Sequence, residues 1–381
     1  MTSAAVVVAT RRFPASVLWG LLVWVVTTDG TASGDDRISV RGIYYREAST
    51  RIVEPMVSVS KDLPEGIDVG AHYLLDAVTS ASVAQGATQD EIFTERRHEA
   101  GLSGGYRLGA TRVGAGFRYS REPDYDSRTL FLNLQHEVWG RTGVVSAVFA
   151  KNDDHIETRM IDHTLDVWFG GIGYTQALSP VALAQVLYET SWLDGYQANP
   201  YLDTPNRGRP MVPTKRWRHV LGARMAYYIS DLNVGLQGFY RFYVDRGPLT
   251  DNYNPEPWGL QGHTTEARAY WMVHRNVELR FSYRLHVQSP ADFWCNSSGL
   301  AGGSSECYGP ISRFHSADVK YGDLTTQIPQ LNVWWQLHVF RGIPFLGWFS
   351  EGAAELSYGR LFQSARYGDA HLLQAGYSLP F

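Results

Sequence analysis

Hydrophobic and polar residues alternate one by one along most of this chain. From Val277 to Val287 the odd positions are Val277, Leu279, Phe281, Tyr283, Leu285 and Val287; the even ones are Glu278, Arg280, Ser282, Arg284 and His286. Val234, Leu236, Gly238, Tyr240, Phe242 and Val244 alternate in the same way with Gly235, Gln237, Phe239, Arg241 and Tyr243. Val113, Ala115, Phe117 and Tyr119 alternate with Arg112, Gly114, Gly116, Arg118 and Ser120. Leu331, Val333, Trp335, Leu337 and Val339 alternate with Asn332, Trp334, Gln336 and His338. A period of two marks β-strands with one apolar and one polar face. The pattern predicts sixteen strands, at 37–47, 51–62, 66–78, 93–108, 111–121, 129–139, 144–151, 164–178, 181–194, 215–230, 233–246, 263–274, 277–288, 324–340, 349–363 and 371–381. Ser316 to Tyr321 reads as an extension of the fourteenth strand; counting it separately leads to eighteen strands as the alternative.

The predicted strands are long, and Tyr, Phe and Trp lie near the ends of their apolar faces. Both features suit a strand tilted across a bilayer, with aromatic girdles at its two interfaces. Even-numbered connections are short turns such as Pro64-Glu65, Gly109-Ala110, Ser179-Pro180, Asp231-Leu232 and Arg275-Asn276. Most odd-numbered ones are longer and polar, including 79–92, 152–163, 195–214, 247–262 and 289–323. Short periplasmic turns and long outer loops are the habit of outer-membrane barrels. The expected fold is all-β, a transmembrane antiparallel β-barrel of about sixteen strands occupying residues 35–381, in the outer membrane of a Gram-negative bacterium. Leu373, Ala375, Tyr377, Leu379 and Phe381 share the apolar face of the last strand. Tyr377, Leu379 and the terminal Phe381 are the expected signal to the barrel-assembly machinery.

The amino terminus reads as an export leader over residues 1–34. Arg11 and Arg12 precede a mostly apolar run from Phe13 to Val26, and Ala32, Ser33 and Gly34 precede Asp35. Two cysteines, Cys295 and Cys307, lie in a Gly/Ser-rich stretch and are expected to form one local disulfide. Composition agrees with an all-β reading: of 381 residues 13% are aromatic and only 19% charged, with 37 glycines. A mean hydropathy of −0.23 argues against a helical membrane protein. The net charge is −4 with no Lys/Arg block, so nucleic acid is not an expected partner.

Several stretches carry a family resemblance. Tyr44-Tyr45-Arg46-Glu47, Arg51-Ile52-Val53-Glu54-Pro55 and the run from Val69 to Ser82 resemble the DUF3570 family of exported bacterial proteins of unknown function. Tyr119-Ser120-Arg121-Glu122-Pro123-Asp124-Tyr125 and Ser316-Ala317-Asp318 are also similar. The likeness is specific in the first quarter and loose elsewhere. It implies a location and a fold; no catalytic motif comes with it.

Alternation places a set of charged residues on inward faces: Arg41, Glu54, Asp68, His72, Asp76, Arg97, Glu99, Arg107, Arg112, Arg118, Glu137, Arg224, Arg241, Glu266, Arg268, Glu278, Arg280 and Arg284. Such groups are expensive against lipid, so they are expected to line a lumen and set its selectivity, or to pair as a lattice that stiffens the barrel. His72 with Asp76 and Glu54 has the residue types of acid–base chemistry, but no nucleophile motif such as Gly-x-Ser-x-Gly accompanies it, and no enzyme is expected. Asn152, Asp153, Asp154, His155, Asp162 and His163 offer cation donors, read as a solvated acidic loop rather than a metal site. Asp251, Asn252, Tyr253, Asn254 and Trp258 have the character of a sugar-binding loop, though turn chemistry explains them equally. No cofactor or metal is expected. The leading function is a channel for polar solutes, with outer-membrane lipids as surroundings. One alternative is polysaccharide export with a periplasmic partner, using Phe239, Tyr243, Tyr270 and Trp334 as stacking steps. The other is a structural or adhesive barrel acting through its outer loops.

Overall fold

A computed structural model describes residues 36–48, 50–81, 92–158, 161–199, 209–248, 257–295, 314–343, 347–364 and 368–381. The expected leader, 1–34, lies outside them. The strands are β1 (Arg37–Arg46), β2 (Thr50–Leu63), β3 (Ile67–Ala81), β4 (Ile92–Leu108), β5 (Thr111–Glu122), β6 (Tyr125–Val138), β7 (Gly143–Thr158) and β8 (Ile161–Ser179). They continue with β9 (Ala182–Gly195), β10 (Lys215–Ile229), β11 (Val234–Arg246), β12 (Gln261–His274), β13 (Val277–Gln288), β14 (Leu324–Gln336), β15 (Ala353–Gln363) and β16 (Ala370–Pro380). Every strand pairs antiparallel with its sequence neighbour, and β1 pairs with β16, so the sheet closes on itself. Closure removes the unpaired edges that an open sheet would expose.

The sixteen predicted strands are all present. The apolar face of each points outward: Leu102 and Ile172, side chains that a soluble core would bury, are 67% and 63% exposed. The charged face points to the interior. Asp36, Phe381 and the turns that follow the even-numbered strands lie at one end, here the turn end; the opposite end is the loop end. At the turn end Asn233 takes a left-handed conformation (φ 51°) and donates its N–H to the Ser230 carbonyl, which lets β10 fold directly into β11. β16 closes the ring residue by residue against β1, and the Phe381 N–H bonds the Asp36 carbonyl at 2.8 Å.

The structure corrects three expectations. The connection expected at 152–163 is largely strand: β7 runs to Thr158 and β8 begins at Ile161. The preceding outer connection is also tight, with β6 starting at Tyr125 rather than 129. The alternation of short and long connections therefore breaks at β5–β6 and β7–β8. Beyond the apolar belt Asp153, His155 and Glu157 occupy the outward face, so the apolar half of the pattern vanishes while the hydrogen-bonded ladder continues. Third, Ser316 to Tyr321 does not extend β14. It makes isolated bridges (Met211 with His315, Trp294 with Ser316) and a 3-10 turn at Val319–Tyr321, so the count stays at sixteen. The long connection at the turn end is also partly 3-10, with Leu337–Phe340 and Gly347–Glu351 held by two bonds from Arg341 to Glu351 at 2.9 and 2.7 Å. Those bonds hold the Glu351 carboxyl below its usual range.

Around the outer wall, aromatic and histidine side chains repeat. Tyr73, Tyr188, Tyr240 and Tyr358 on odd strands each meet a histidine two residues before their direct partner on the next strand: His98, His219, His263 and His371. Each phenol lies 2.7–2.8 Å from the histidine Nδ1. Tyr283 meets Gln327 in the same way. This ring of amphipathic pairs marks the upper border of the apolar belt, where rings with one apolar and one polar end settle.

Candidate functional site: the polar lumen

The inward side chains fall into three tiers. Near the turn end Arg112 is bidentate on Asp68 (3.0 and 2.6 Å), Arg107 reaches Glu137 at 3.2 Å, and Arg280 bonds Glu278. Glu355, which the sequence reading missed, lies 3.8 Å from Arg280 and 4.0 Å from Arg41, linking β1 to β13 across β15.

At mid-height the two walls differ. On β2–β5, Glu54, Asp76, Glu99 and Glu122 surround Arg97 and Arg118: Arg97–Asp76 is 3.5 Å, Arg97–Glu122 4.0 Å and Arg118–Glu99 3.6 Å. On β10–β13, eight strands round the ring, Arg224, Arg241, Arg268 and Arg284 stand with Glu266, which bonds Arg268. Arg224, Phe239, Glu266 and Arg284 are direct cross-strand partners in one row. The lumen therefore carries an acid-rich wall facing an arginine-rich wall. In a confined aqueous space this arrangement produces a transverse field.

His72 does not join Asp76 or Glu54. Its Nε2 lies 3.3 Å from Glu99, while Asp76 serves Arg97. Its imidazole occupies the space beside Gly101, where a Cβ would come within 2.2 Å of the ring. Three of the four lumen aromatics expected as sugar steps carry other partners. Arginines lie over the rings of Phe239 (Arg224, 5.5 Å), Tyr243 (Arg241, 5.5 Å) and Tyr270 (Arg280, 5.9 Å). Those faces are taken up by cation–π contacts. Toward the loop end, Glu95, Glu122 and Asp124 bring carboxylate oxygens within 4.8 Å of one another. The donors around 152–163 separate: Asn152 and Asp154 point inward and are buried, while Asp153 bonds Lys151 at 2.6 Å and His155 meets Asp162 at 2.9 Å on the outside.

The third tier closes part of the mouth. Ala198 and Val212 before β10, Trp258 and Leu260 before β12, Ala291 and Phe293 after β13, and Tyr321 before β14 form one buried apolar cluster. Trp258, Phe293 and Tyr321 meet edge to face at 5.1, 5.8 and 5.2 Å. This cap rests on the inward ends of β10 and β11. Arg216 stacks 4.0 Å under the Trp258 ring and bonds Asp245, which is fully buried and also accepts the Leu260 N–H at 3.1 Å and the Tyr243 hydroxyl at 3.0 Å. Tyr321 donates to the Gln197 carbonyl at 2.7 Å, tying two loops together. Burial alone would lower the Lys320 amine; Asp318, 3.2 Å away, outweighs it and holds it above its usual range.

Trp258 is thus a packing residue with no exposed face for a sugar, and the other loop residues considered with it, Asp251 to Asn254, lie outside the described residues. Cys295 is buried; Cys307 lies outside the described residues. Arg216 and Asp245 were legible as continuations of the β10 and β11 alternation, but nothing local marked them as partners.

No curated protein matches the chain by sequence. Its fold is similar to that of a "Bacterial polysaccharide outer membrane secretin" at 8% identity and a TM-score of 0.52, covering 92% of this chain and 100% of that one. It is also similar to CdiB from Acinetobacter baumannii at 10% identity and a TM-score of 0.51, over 91% of this chain and 60% of CdiB. At such identity the likeness concerns the fold alone. The model of DUF3570, a protein family of unknown function, matches residues 161–343, which include Ser316-Ala317-Asp318 rather than the first-quarter stretches, and the resemblance read from the sequence is thereby borne out.

Proposed function

We propose that this chain is an outer-membrane channel for polar solutes, with the turn end in the periplasm and the mouth narrowed by the loop cap. The observation that supports this reading best is the pair of oppositely biased walls at mid-lumen. Polar and charged side chains line the interior below the cap, while the outer belt is apolar. A barrel of this strand number encloses room for water. The field between the walls orients dipolar and zwitterionic solutes as they pass.

Export of an acidic polysaccharide through the same lumen is the second reading. The arginine row favours it, as does the likeness of fold to the solved polysaccharide secretin; a periplasmic partner would dock on the turns. A barrel acting only through its cap is the third.

Planar-bilayer recording of the refolded protein separates them. The expected result is discrete conductance steps of low amplitude that grow when the cap is loosened. A folded barrel that stays silent with its cap disrupted would rule out the channel. Folding itself is read from a gel: unboiled protein is expected to migrate faster than boiled protein. Deleting Phe381 is expected to reduce the assembled fraction in cells severalfold, if Tyr377, Leu379 and Phe381 address the assembly machinery. Unchanged assembly would remove that role.

A further inference from the structure

Toward the loop end the outer wall of β1–β6 turns cationic. Arg46, Arg51, Arg96, Arg121 and Arg128 all point outward and are exposed. They follow one another around the wall. Arg46 is the direct partner of Arg51 across β1–β2, and of His371 across β1–β16. Arg121 is the direct partner of His98 across β4–β5. Like charges placed directly opposite on a ladder destabilise it unless something between them compensates.

Compensation from the chain itself is thin on this arc: Asp153, the direct partner of Arg128 across β6–β7, is bonded to Lys151 instead. Arg121 has Asp126 at 3.7 Å. Among the described residues Arg46, Arg51, Arg96 and Arg128 have neither an ion pair nor a side-chain hydrogen bond. Elsewhere at the same level three cations are matched, Lys151 by Asp153 at 2.6 Å, Lys215 by Asp194 at 4.0 Å and Arg360 by Asp369 at 3.1 Å, while Arg246 on β11 stands singly among the described residues. The uncompensated charge is therefore concentrated on β1–β6. Directly below it on the same strands lie exposed apolar side chains, among them Val57, Tyr73, Leu102 and Phe117.

We infer that this arc is a docking surface for a phosphate-bearing lipid of the outer leaflet. The guanidinium forks take the phosphates in bidentate fashion, and the acyl chains lie along the apolar belt beneath. Charge complementarity decides the headgroup, and the belt decides that the phosphate arrives on a lipid rather than free. The inference rests on the membrane placement proposed above.

The test uses the refolded full chain in detergent and native mass spectrometry, with diphosphorylated lipid A as the probe and its dephosphorylated form as the control. Wild type is expected to retain lipid A at least tenfold more tightly than the R46Q/R51Q/R121Q/R128Q variant, while the dephosphorylated form binds both proteins equally weakly. Millimolar inorganic phosphate is expected to leave the lipid in place. Equal retention by wild type and variant overturns the inference. So does equal retention of the two lipids by wild type, or displacement by free phosphate. The heat-dependent gel shift confirms that each variant is folded. Should the fourfold variant fail to assemble, R46Q/R128Q removes only arginines without protein partners and carries the same expectation at smaller amplitude. Loss of the lipid effect with gel shift and conductance intact removes this inference and leaves the proposed channel standing.

Discussion

Replacing Arg216 with alanine will loosen the cap and raise the conductance of the barrel while leaving the barrel assembled. Arg216 is the buried counter-charge of Asp245 and the platform under Trp258. Removing one partner of a buried ion pair leaves the other charge uncompensated, at a cost of about 3–5 kcal/mol. That penalty falls on the cap, because the ladders that close the barrel do not depend on this side chain. Proteinase K is therefore expected to cut R216A in the cap segments 209–214, 289–295 or 314–323 under conditions where wild type is resistant there, and bilayer recordings are expected to show larger steps. The double variant R216L/D245L should recover much of the protection, since apolar residues can replace a buried pair at little net cost. A resistant R216A with unchanged conductance would show that the cap does not govern the mouth.

Neutralising the mid-lumen arginine row will shift permeation from anions toward cations. In R224Q/R241Q/R268Q/R284Q four positive charges leave one wall, and Glu266 loses the Arg268 guanidinium that it bonds. A unit charge about 8 Å from a permeating ion contributes on the order of 0.5 kcal/mol in a water-like dielectric, before screening. Four such charges together, about 2 kcal/mol, change the chloride-to-potassium permeability ratio by more than about tenfold at low salt, and by less at high salt. The reversal potential in a salt gradient measures this directly. E54Q/D76Q/E99Q on the opposite wall is expected to move it the other way. An unmoved reversal potential in both variants would mean that ions do not pass between these walls.

Both experiments depend on features that differ in how far the sequence reveals them. Strand number, facing and order follow from local chemistry. A strand with lipid on one side and water on the other must alternate, and each tight turn carries residues suited to turning. Hence β13, β11 and β5 were legible in full, and so was the inward direction of Arg280 or Glu266. The reading weakened where alternation lost its apolar half. At β7–β8 the wall rises beyond the belt, both faces are polar, and the ladder continues through backbone hydrogen bonds that leave no trace in side-chain type. The same blindness hid the outer arginines. Alternation picks out a face and not a height, so Arg46, Arg51 and Arg128, which stand outward at the edge of the belt, were not singled out.

Partnership was beyond the sequence altogether. Asp245 and Arg216, or Glu355 with Arg41 and Arg280, lie far apart along the chain and meet only through ring closure and register. Whether two walls of a lumen carry opposite charge depends on which strands stand eight apart. Only the closed sheet decides that. The cap is the extreme case: Trp258, Phe293 and Tyr321 come from three separate connections, and their apolar faces find cover only in one another. By itself the sequence determined that a sixteen-strand barrel with a charged interior would form, because burial and solvation act residue by residue. The tertiary structure alone decided which charges pair, how the mouth is covered and where positive charge is left on the outer wall, because those outcomes arise between residues that the chain does not place side by side.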